Sequence, residues 1–319
     1  MVGLIAHAPI DVIAQVSDDL LPRYALRRHG CTTLSRSAIE ALEAEVTAMG
    51  TARFLPGGCG ANQAAWLARM GGAATVVAPF GNDTHGRTAR ADLTARGVAI
   101  AGFDYAGPHT LVYTLVTPDR DRSFADDDHG VRYDLFPAAR ALANERLVAI
   151  DGYLLLRPGA PEGIAAYLAE VAPRGQEILF CPGDVSVIEL ASGPVRALVE
   201  RCDHLLLNHG EAAALFPGRS MEEIVALLRA RGTSGAVTLA EKGALLFNPG
   251  GVFHAPPARL SAPIVNTNGA GDGFAGGYMH AVARGLSLEE IARAATLCAG
   301  EALLTEGARP LLSPPFSDQ

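Results

Sequence analysis

The chain is short of charge, and of positive charge most of all. Only 19% of its 319 residues are Asp, Glu, Lys or Arg, and the formal net charge is −8. With no basic field to hold a phosphate backbone, nucleic acid is excluded as the expected partner and small molecules remain. Cysteine is scarce as well: Cys31, Cys59, Cys181, Cys202 and Cys298 are scattered, with no CxxC pair and no Cys/His cluster at metal-ligand spacing. That excludes a thiolate metal centre and predicts buried, reduced thiols. No stretch reaches the roughly 18 uninterrupted apolar residues of a membrane span. The opening "MVGLIAHAPIDVIAQVSDD" has neither the basic lead nor the long apolar run of a signal peptide, so the expectation is a cytoplasmic protein that meets no membrane. Fixed-period repeats, low-complexity tracts, the GxxxxGK[ST] phosphate loop, GxSxG and HExxH are all missing too.

What the chain does have is apolar residues, 49% of the total, enough for one large domain over 1–319 with a small appendage. The runs "VGLIAH", "ATVVAP", "RLVAID", "EILFC", "DHLLLN" and "GAVTLA" are too continuous for strands with one wet face and read as buried strands. Helical patterns at 61–70, 86–96, 161–172, 193–201 and 221–231 separate them. Strand and helix in alternation predict an α/β fold, a doubly wound and mostly parallel sheet with helices on both faces. Two stretches break the rhythm, within 11–55 and 98–135. There "GVAIAGFDY" and "TLVYTLVT" alternate like half-exposed strands joined by the turn-forming "AGPH", which suggests a small β lid. The proline-rich tail "RPLLSPPFSDQ" reads as loosely held.

Ligands of open α/β sheets bind beyond the carboxyl ends of the strands, and the glycines concentrate in those loops. "NTNGAGDGFAGG", residues 266–277, follows "SAPIV", read as a strand end, and leads into an apolar helix. The N–H groups of Gly269, Ala270 and Gly271 would then be unpaired donors at a helix N-terminus, a seat for an anion that small side chains let approach. Asp272, in the first turn, suits a base that orients and deprotonates a hydroxyl during phosphoryl transfer, or it simply caps the helix. A helix N-terminus lowers a carboxylate's pKa, so positioning rather than basicity is the expected contribution. "GDGFAG" fits GxGxxG but lies mostly inside the helix with no suitable acid after it, so a dinucleotide site is rejected.

Taken with "PGGCGANQAAWLARMGG" at 56–72, this stretch resembles the paired signatures of the ribokinase family, also called the PfkB carbohydrate kinases. "GNDTHG", "LLLNHGEAAAL", "VTLAEKGALL" and "EGARP" fall between or after them in the family's order, so the resemblance covers nearly the whole chain. It implies a ribokinase-like fold with a β lid, and transfer of the ATP γ-phosphate to a hydroxyl. By resemblance Asp272 is the catalytic base, and Gly269, Ala270 and Gly271 form the anion hole. Asp11 would accept hydrogen bonds from substrate hydroxyls, Gly57 and Gly58 would let the backbone approach the substrate, and Asn62 would offer it both a donor and an acceptor. An exposed acid and a helix-start Asn are the plainer readings of Asp11 and Asn62. In "NHGE", Glu211 would order magnesium through water and Asn208 would lie near the phosphates, against a loop Asn and a first-turn Glu. Thr238 and Gly243 fall where the family lines the nucleotide groove, although a strand Thr and a turn Gly are common. ATP and Mg²⁺ are thus implied. Potassium is implied less firmly, because Asn266 replaces the family's usual Asp, while backbone carbonyls could still ligate the ion.

The acceptor is open. "IDVIAQVSDDLL", "DGYLLLRPG" and "VTLAEKG" look like adenosine-kinase-like members, whereas "GGCGANQA" looks more like ribokinase. The segment "DRDRSFADDDHG", 119–130, carries five acids against two arginines, which would repel anionic substrates if it overhung them and is otherwise only solvated charge. Arg157 could bind a carboxylate. Phe103, Tyr105, Tyr113 and Phe124 could stack on a nucleobase or simply pack. The expectation is an adenosine-like nucleoside slightly ahead of a neutral sugar. The alternatives are a ribokinase, fructokinase or 2-keto-3-deoxygluconate kinase type, and then a non-catalytic sugar- or nucleoside-binding regulator. Monomer and homodimer are both compatible with a flap at a sheet edge.

Overall fold

A computed structural model describes residues 1–28, 30–119, 121–127, 133, 140–171 and 175–312. The strands are β1 Val2–Ile5, β2 Ile10–Gln15, β3 Cys31–Leu34, β4 Arg53–Pro56, β5 Ala74–Val77, β6 Pro79–Gly81, β7 Ala99–Ile100, β8 Phe103–Tyr105, β9 Leu111–Val116, β10 Arg122–Asp127, β11 Leu147–Asp151, β12 Glu177–Cys181, β13 His204–Asn208, β14 Ser234–Thr238, β15 Ala244–Asn248 and β16 Gly251–Ala255. The helices are α1 Leu20–Arg23, α2 Arg36–Ala48, α3 Cys59–Arg69, α4 Thr84–Ala95, α5 Ala160–Val171, α6 Val185–Leu190, α7 Ser192–Arg201, α8 His209–Leu215, α9 Met221–Ala230, α10 Ala270–Ala283 and α11 Leu288–Leu303.

The six continuous apolar runs form β1, β5 and β11 to β14, inside a nine-stranded sheet of order β16-β15-β14-β13-β12-β11-β1-β5-β7. Neighbours are parallel from β14 to β7, and β15 and β16 join antiparallel at one edge. The side-chain period of two divides each strand between two cores. On one face, Leu4, Leu147, Ala149 and Leu179 pack with α3, α10 and α11. On the other, Ile5, Val148, Ile150 and Phe180 pack with α5, α7 and α9. Both faces are thus covered by helices, as the strands' lack of a polar side requires.

A second sheet has the order β3-β10-β9-β2-β4. Its register puts Val12, Tyr113 and Ala125 side by side, all buried, in the same core as Ile39, Leu42 and Val46 of α2. The apolar face is thereby closed from within the chain. The opposite face carries Asp11, Val112 and Asp126 in one row, Ile13, Thr114 and Phe124 in the next, and Gln15, Val116 and Arg122 in a third.

The hairpin expected from "GVAIAGFDY" and "TLVYTLVT" does not form. β7 joins the main sheet beside β5, β8 pairs with β6, and only β9 enters the second sheet, between β2 and β10. Strand β7 follows α4, and a parallel crossover returns the chain to the sheet it left. "AGPH" instead runs from the separate β6-β8 pair into β9 of the second sheet, with Gly107 N–H donating to Asn82 Oδ1, just after β6, at 3.3 Å.

Candidate active site

Glycine at 269 opens α10 with φ +81°, and a Cβ there would lie 2.5 Å from the Ala308 Cα. Both facts exclude a larger residue. The first helical bond runs from Gly273 N–H to Gly269 O at 2.8 Å. The N–H groups of Ala270 and Gly271 therefore have no intrahelical acceptor and carry the positive end of the helix dipole. The following glycines serve packing. A Cβ on Gly273 would lie 2.7 Å from Cys298 O, and one on Gly276 2.5 Å from the Trp66 Cβ, so α11 and α3 close against α10. "GDGFAG" lies wholly within the helix, as the rejection of a dinucleotide site requires. "SAPIV" is not a strand end: after β16 come Pro256 and Pro257, which have no N–H for a ladder, and the chain runs exposed until Val265 N–H bonds Leu303 O at 2.9 Å.

Asp272 is 8% exposed, and its Oδ2 accepts from Asn62 Nδ2 at 2.9 Å. Burial pushes its pKa up to about 7; the Asn62 hydrogen bond opposes that rise, and the nearby Asp151 adds to it. The lowering expected at a helix N-terminus is overturned, because the helix end stabilises the charge less than the loss of water destabilises it. Asn62 comes from α3, whose first turn is set by Gly58 at φ +89°, where a Cβ would lie 2.3 Å from His7 O. Gly57 sits against the second sheet so closely that a Cβ would be 2.3 Å from the Asp11 carboxyl. Asp11 itself is driven by burial to a pKa of about 7, with Arg309 opposing. Asp11, the turn at 57–62 and Asp272, from three distant parts of the chain, are thus brought together, with Arg309 joining Gly57 and Asn62. Asn62 is more committed than expected: its Oδ1 accepts from Arg309 Nε at 2.9 Å, so its acceptor is engaged within the protein.

The rest of the predicted site lies at the carboxyl ends of β13 and β14. Asn208 and Thr238 are paired in register. Asn208 and Glu211 cap α8 reciprocally, at 2.9 Å for Glu211 N–H to Asn208 Oδ1 and 2.8 Å for Asn208 N–H to the Glu211 carboxylate. Glu211 is buried, which pushes its pKa up to about 7, with Asp184 adding to the rise. Cys181, ending β12, feels Glu211, Asp272 and Asp151 together, which places this group near Asp272. Gly243 closes the turn into β15, with its N–H on Ala240 O at 3.0 Å. Beyond it a cleft of about 540 Å³ opens between the Pro256–Ser261 segment and α11, with Ala292, Thr296 and Gly300 on its wall.

Several site residues escaped sequence reasoning. Asp151, ending β11, accepts N–H bonds from Gly60 at 3.2 Å, His7 at 3.3 Å and Tyr153 at 3.1 Å, tying the first turn of α3, the loop after β1 and the turn after β11 together. Arg309, within the "EGARP" landmark, is 6% exposed, yet no local pattern marked it as buried. Arg122 of β10 reaches across to the turn before α10, donating to Asn268 Oδ1 and, at 3.3 Å, to Asn266 Oδ1. Of the acidic segment 119–130, residues 120 and 128–130 lie outside the described residues. Asp119 and Asp121 pair instead with Arg28, at 2.7 and 3.4 Å. Asp126 pairs with Arg157 at 2.6 Å, so the cation that could have held a substrate carboxylate is neutralised. Of the four aromatics, only Phe124 shares the Asp11 face. Tyr113 is fully buried on the other face, and Phe103 and Tyr105 belong to β8.

Residues 32–314 match the pfkB family carbohydrate kinase model. Ribokinase of Bacillus subtilis (strain 168) is 29% identical over 272 residues, spanning 82% of this chain and 86% of that protein. 1-Phosphofructokinase of Rhodobacter capsulatus is 31% identical over 284 residues, 85% of this chain and 86% of that one. The crystal structure of adenosine kinase from Sinorhizobium meliloti superposes with a TM-score of 0.83 at 25% identity, covering 97% of this chain and 95% of that one.

Proposed function

The chain belongs to the pfkB carbohydrate kinases, phosphotransferases acting on sugar or nucleoside hydroxyls, and on that premise we propose that it transfers the γ-phosphate of ATP to a hydroxyl of a neutral nucleoside. The observation that carries this reading is the buried Asp272, one residue past open N–H donors and close enough to Cys59, as Asp11 is, to raise that thiol's pKa. Asp11 accepts hydrogen bonds from acceptor hydroxyls and fixes the reactive one near Asp272. As that oxygen attacks phosphorus, its proton passes to the Asp272 carboxylate, the bond from phosphorus to the β–γ bridging oxygen breaks, and ADP leaves with that electron pair. The amides of Gly269, Ala270 and Gly271 stabilise the charge on the migrating group, and Arg122 adds a cation at the mouth of that turn. The nucleotide base lies in the cleft beside α11, with Thr238 and Gly243 at its rim.

Among the described residues, no group of three or more His, Cys, Asp or Glu is placed to hold a metal ion. That fits magnesium, which keeps its waters and rides chiefly on phosphates, with Glu211 as the protein's acid toward it. When bound, the ion would neutralise phosphate charge. Potassium fits the Asn266 side chain poorly, since its oxygen accepts from Arg122 and from Asn268 N–H at 3.0 Å and its amide donates to Glu306 O at 2.8 Å.

Phe124, in the row next to Asp11, gives a base a stacking surface, and this favours a nucleoside over a bare sugar. A neutral sugar is the second reading, favoured by the Asp11 carboxyl, which can accept from sugar hydroxyls without help from a nucleobase. An acceptor already bearing phosphate would meet the Asp11 carboxylate, while Arg157 beside it is already neutralised by Asp126. A regulator without turnover would not need Asp272 and Glu211. Turnover with magnesium and ATP across nucleosides, neutral sugars, acidic sugars and sugar phosphates tests the assignment. Asp272→Asn is expected to cut kcat roughly 10²–10⁴-fold with KM little changed. Full activity in that variant would end the reading.

A further inference from the structure

Arg309 makes three directed contacts. Its Nε donates to Asn62 Oδ1 at 2.9 Å, one terminal nitrogen donates to Gly57 O at 2.6 Å, and the other meets Asp92 Oδ2. Asp92 is held in turn by a two-bonded pair with Arg96, both at 2.9 Å, and Arg96 donates to Pro310 O, the carbonyl next to Arg309 itself. The guanidinium is therefore locked on both sides.

The chemistry of these groups gives the contact a direction. A guanidinium has only donors, so the atom of Asn62 that faces Arg309 must be its oxygen. The amide nitrogen is then turned toward Asp272, 2.9 Å away, and donates to the carboxylate. Without Arg309 the amide could rotate by half a turn and set an oxygen against the base. We propose that Arg309 is a positioning residue for the phosphoryl transfer, acting through Asn62 to hold Asp272 ionised and aimed. This rests on the reading of Asp272 as the base. It gives the C-terminal segment a part in the chemistry, although Arg309 touches neither the acceptor nor the phosphate.

A hydrogen bond to the charged form lowers an acid's pKa, so its loss must raise that of Asp272. The experiment is the pH profile of kcat for the whole chain, wild type beside Arg309→Met, Arg309→Lys and Asn62→Ala. Both Arg309 variants are expected to move the acid limb upward by at least half a unit, so that activity at pH 7 falls at least about twofold more than activity at pH 9. Lysine keeps the charge but lacks the fork, and serves where methionine fails to fold. Adding Asn62→Ala to an Arg309 variant should cost no more than Asn62→Ala alone, because both act through one bond. An unmoved acid limb with only KM raised, or effects that add fully, would overturn the proposal. If Asp272→Asn is inactive and the Arg309 variants keep the wild-type profile, this inference falls while the base assignment stands. If Asp272→Asn is fully active, both fall.

Discussion

At the scale of single residues, the decisive balance is between burial and the helix end at Asp272. Its carboxyl, like that of Asp11, titrates at about 7 rather than near 4. A base with that pKa is matched to neutral pH, being ionised often enough and basic enough to take a proton. In the proposed mechanism both acids act in the ionised form, so log kcat/KM should fall below pH 7 with a slope steeper than one. Asp11→Asn should reduce that slope to one while raising KM, and a slope of one in the wild type would show that only one of the two matters. The same burial costs stability. A carboxylate whose folded pKa lies above its unfolded value costs stability increasingly as pH rises from the unfolded value, about 4, through the folded one, and the cost is complete above it. Asp272→Asn should accordingly raise Tm at pH 8, measured by calorimetry, even as it lowers kcat.

At the scale of elements, α2 decides whether the second sheet can stand alone. Ile39, Leu42 and Val46 bury one face of the helix against Val12, Tyr113 and Ala125, each such side chain contributing about 1.5–3 kcal/mol. Ser35 begins the helix by accepting from Ala38 N–H at 3.4 Å. Leu42 is fully buried at the centre of this contact, and Leu42→Ala should cost about 2–5 kcal/mol. Because Asp11 lies on the opposite face of the same sheet, KM for the acceptor should rise with the loss of stability. A lowered Tm with an unchanged KM would mean that the sheet keeps its shape without the helix.

At the scale of the whole molecule, the site exists only where the two sheets meet. Arg122 on β10 and the turn before α10 make one link between them, and Asp126 with Arg157 makes another on the same strand. Arg122→Ala should increase susceptibility to limited proteolysis near the second sheet and raise KM for both substrates, while an unchanged cleavage pattern would count against the link. Stability of the whole chain should also follow pH. Asp11, Glu211 and Asp272 hold extra protons in the folded state, so stability should rise as pH falls from 8 through 7. Below about 6.5 that gain is opposed by His7 and His204, which burial keeps neutral.

The parallel sheet, its strands and most of its helices were legible in the sequence because they rest on local periodicity. A run such as "LVAI" can be satisfied only between two layers, whatever the rest of the chain does. The turn at 266–272 was legible for the same reason, since a left-handed Gly269 and small neighbours announce themselves locally. Strand partners were not, and β7 and β8 left the expected hairpin for other sheets because pairing is chosen by the crossover, not by the strand. Nor was the raised pKa of Asp272, which depends on how much water the assembled helices exclude. Arg309 was hidden most completely: its contact with Asn62 spans 247 residues, and only the folded chain decides which distant amide a buried guanidinium will turn.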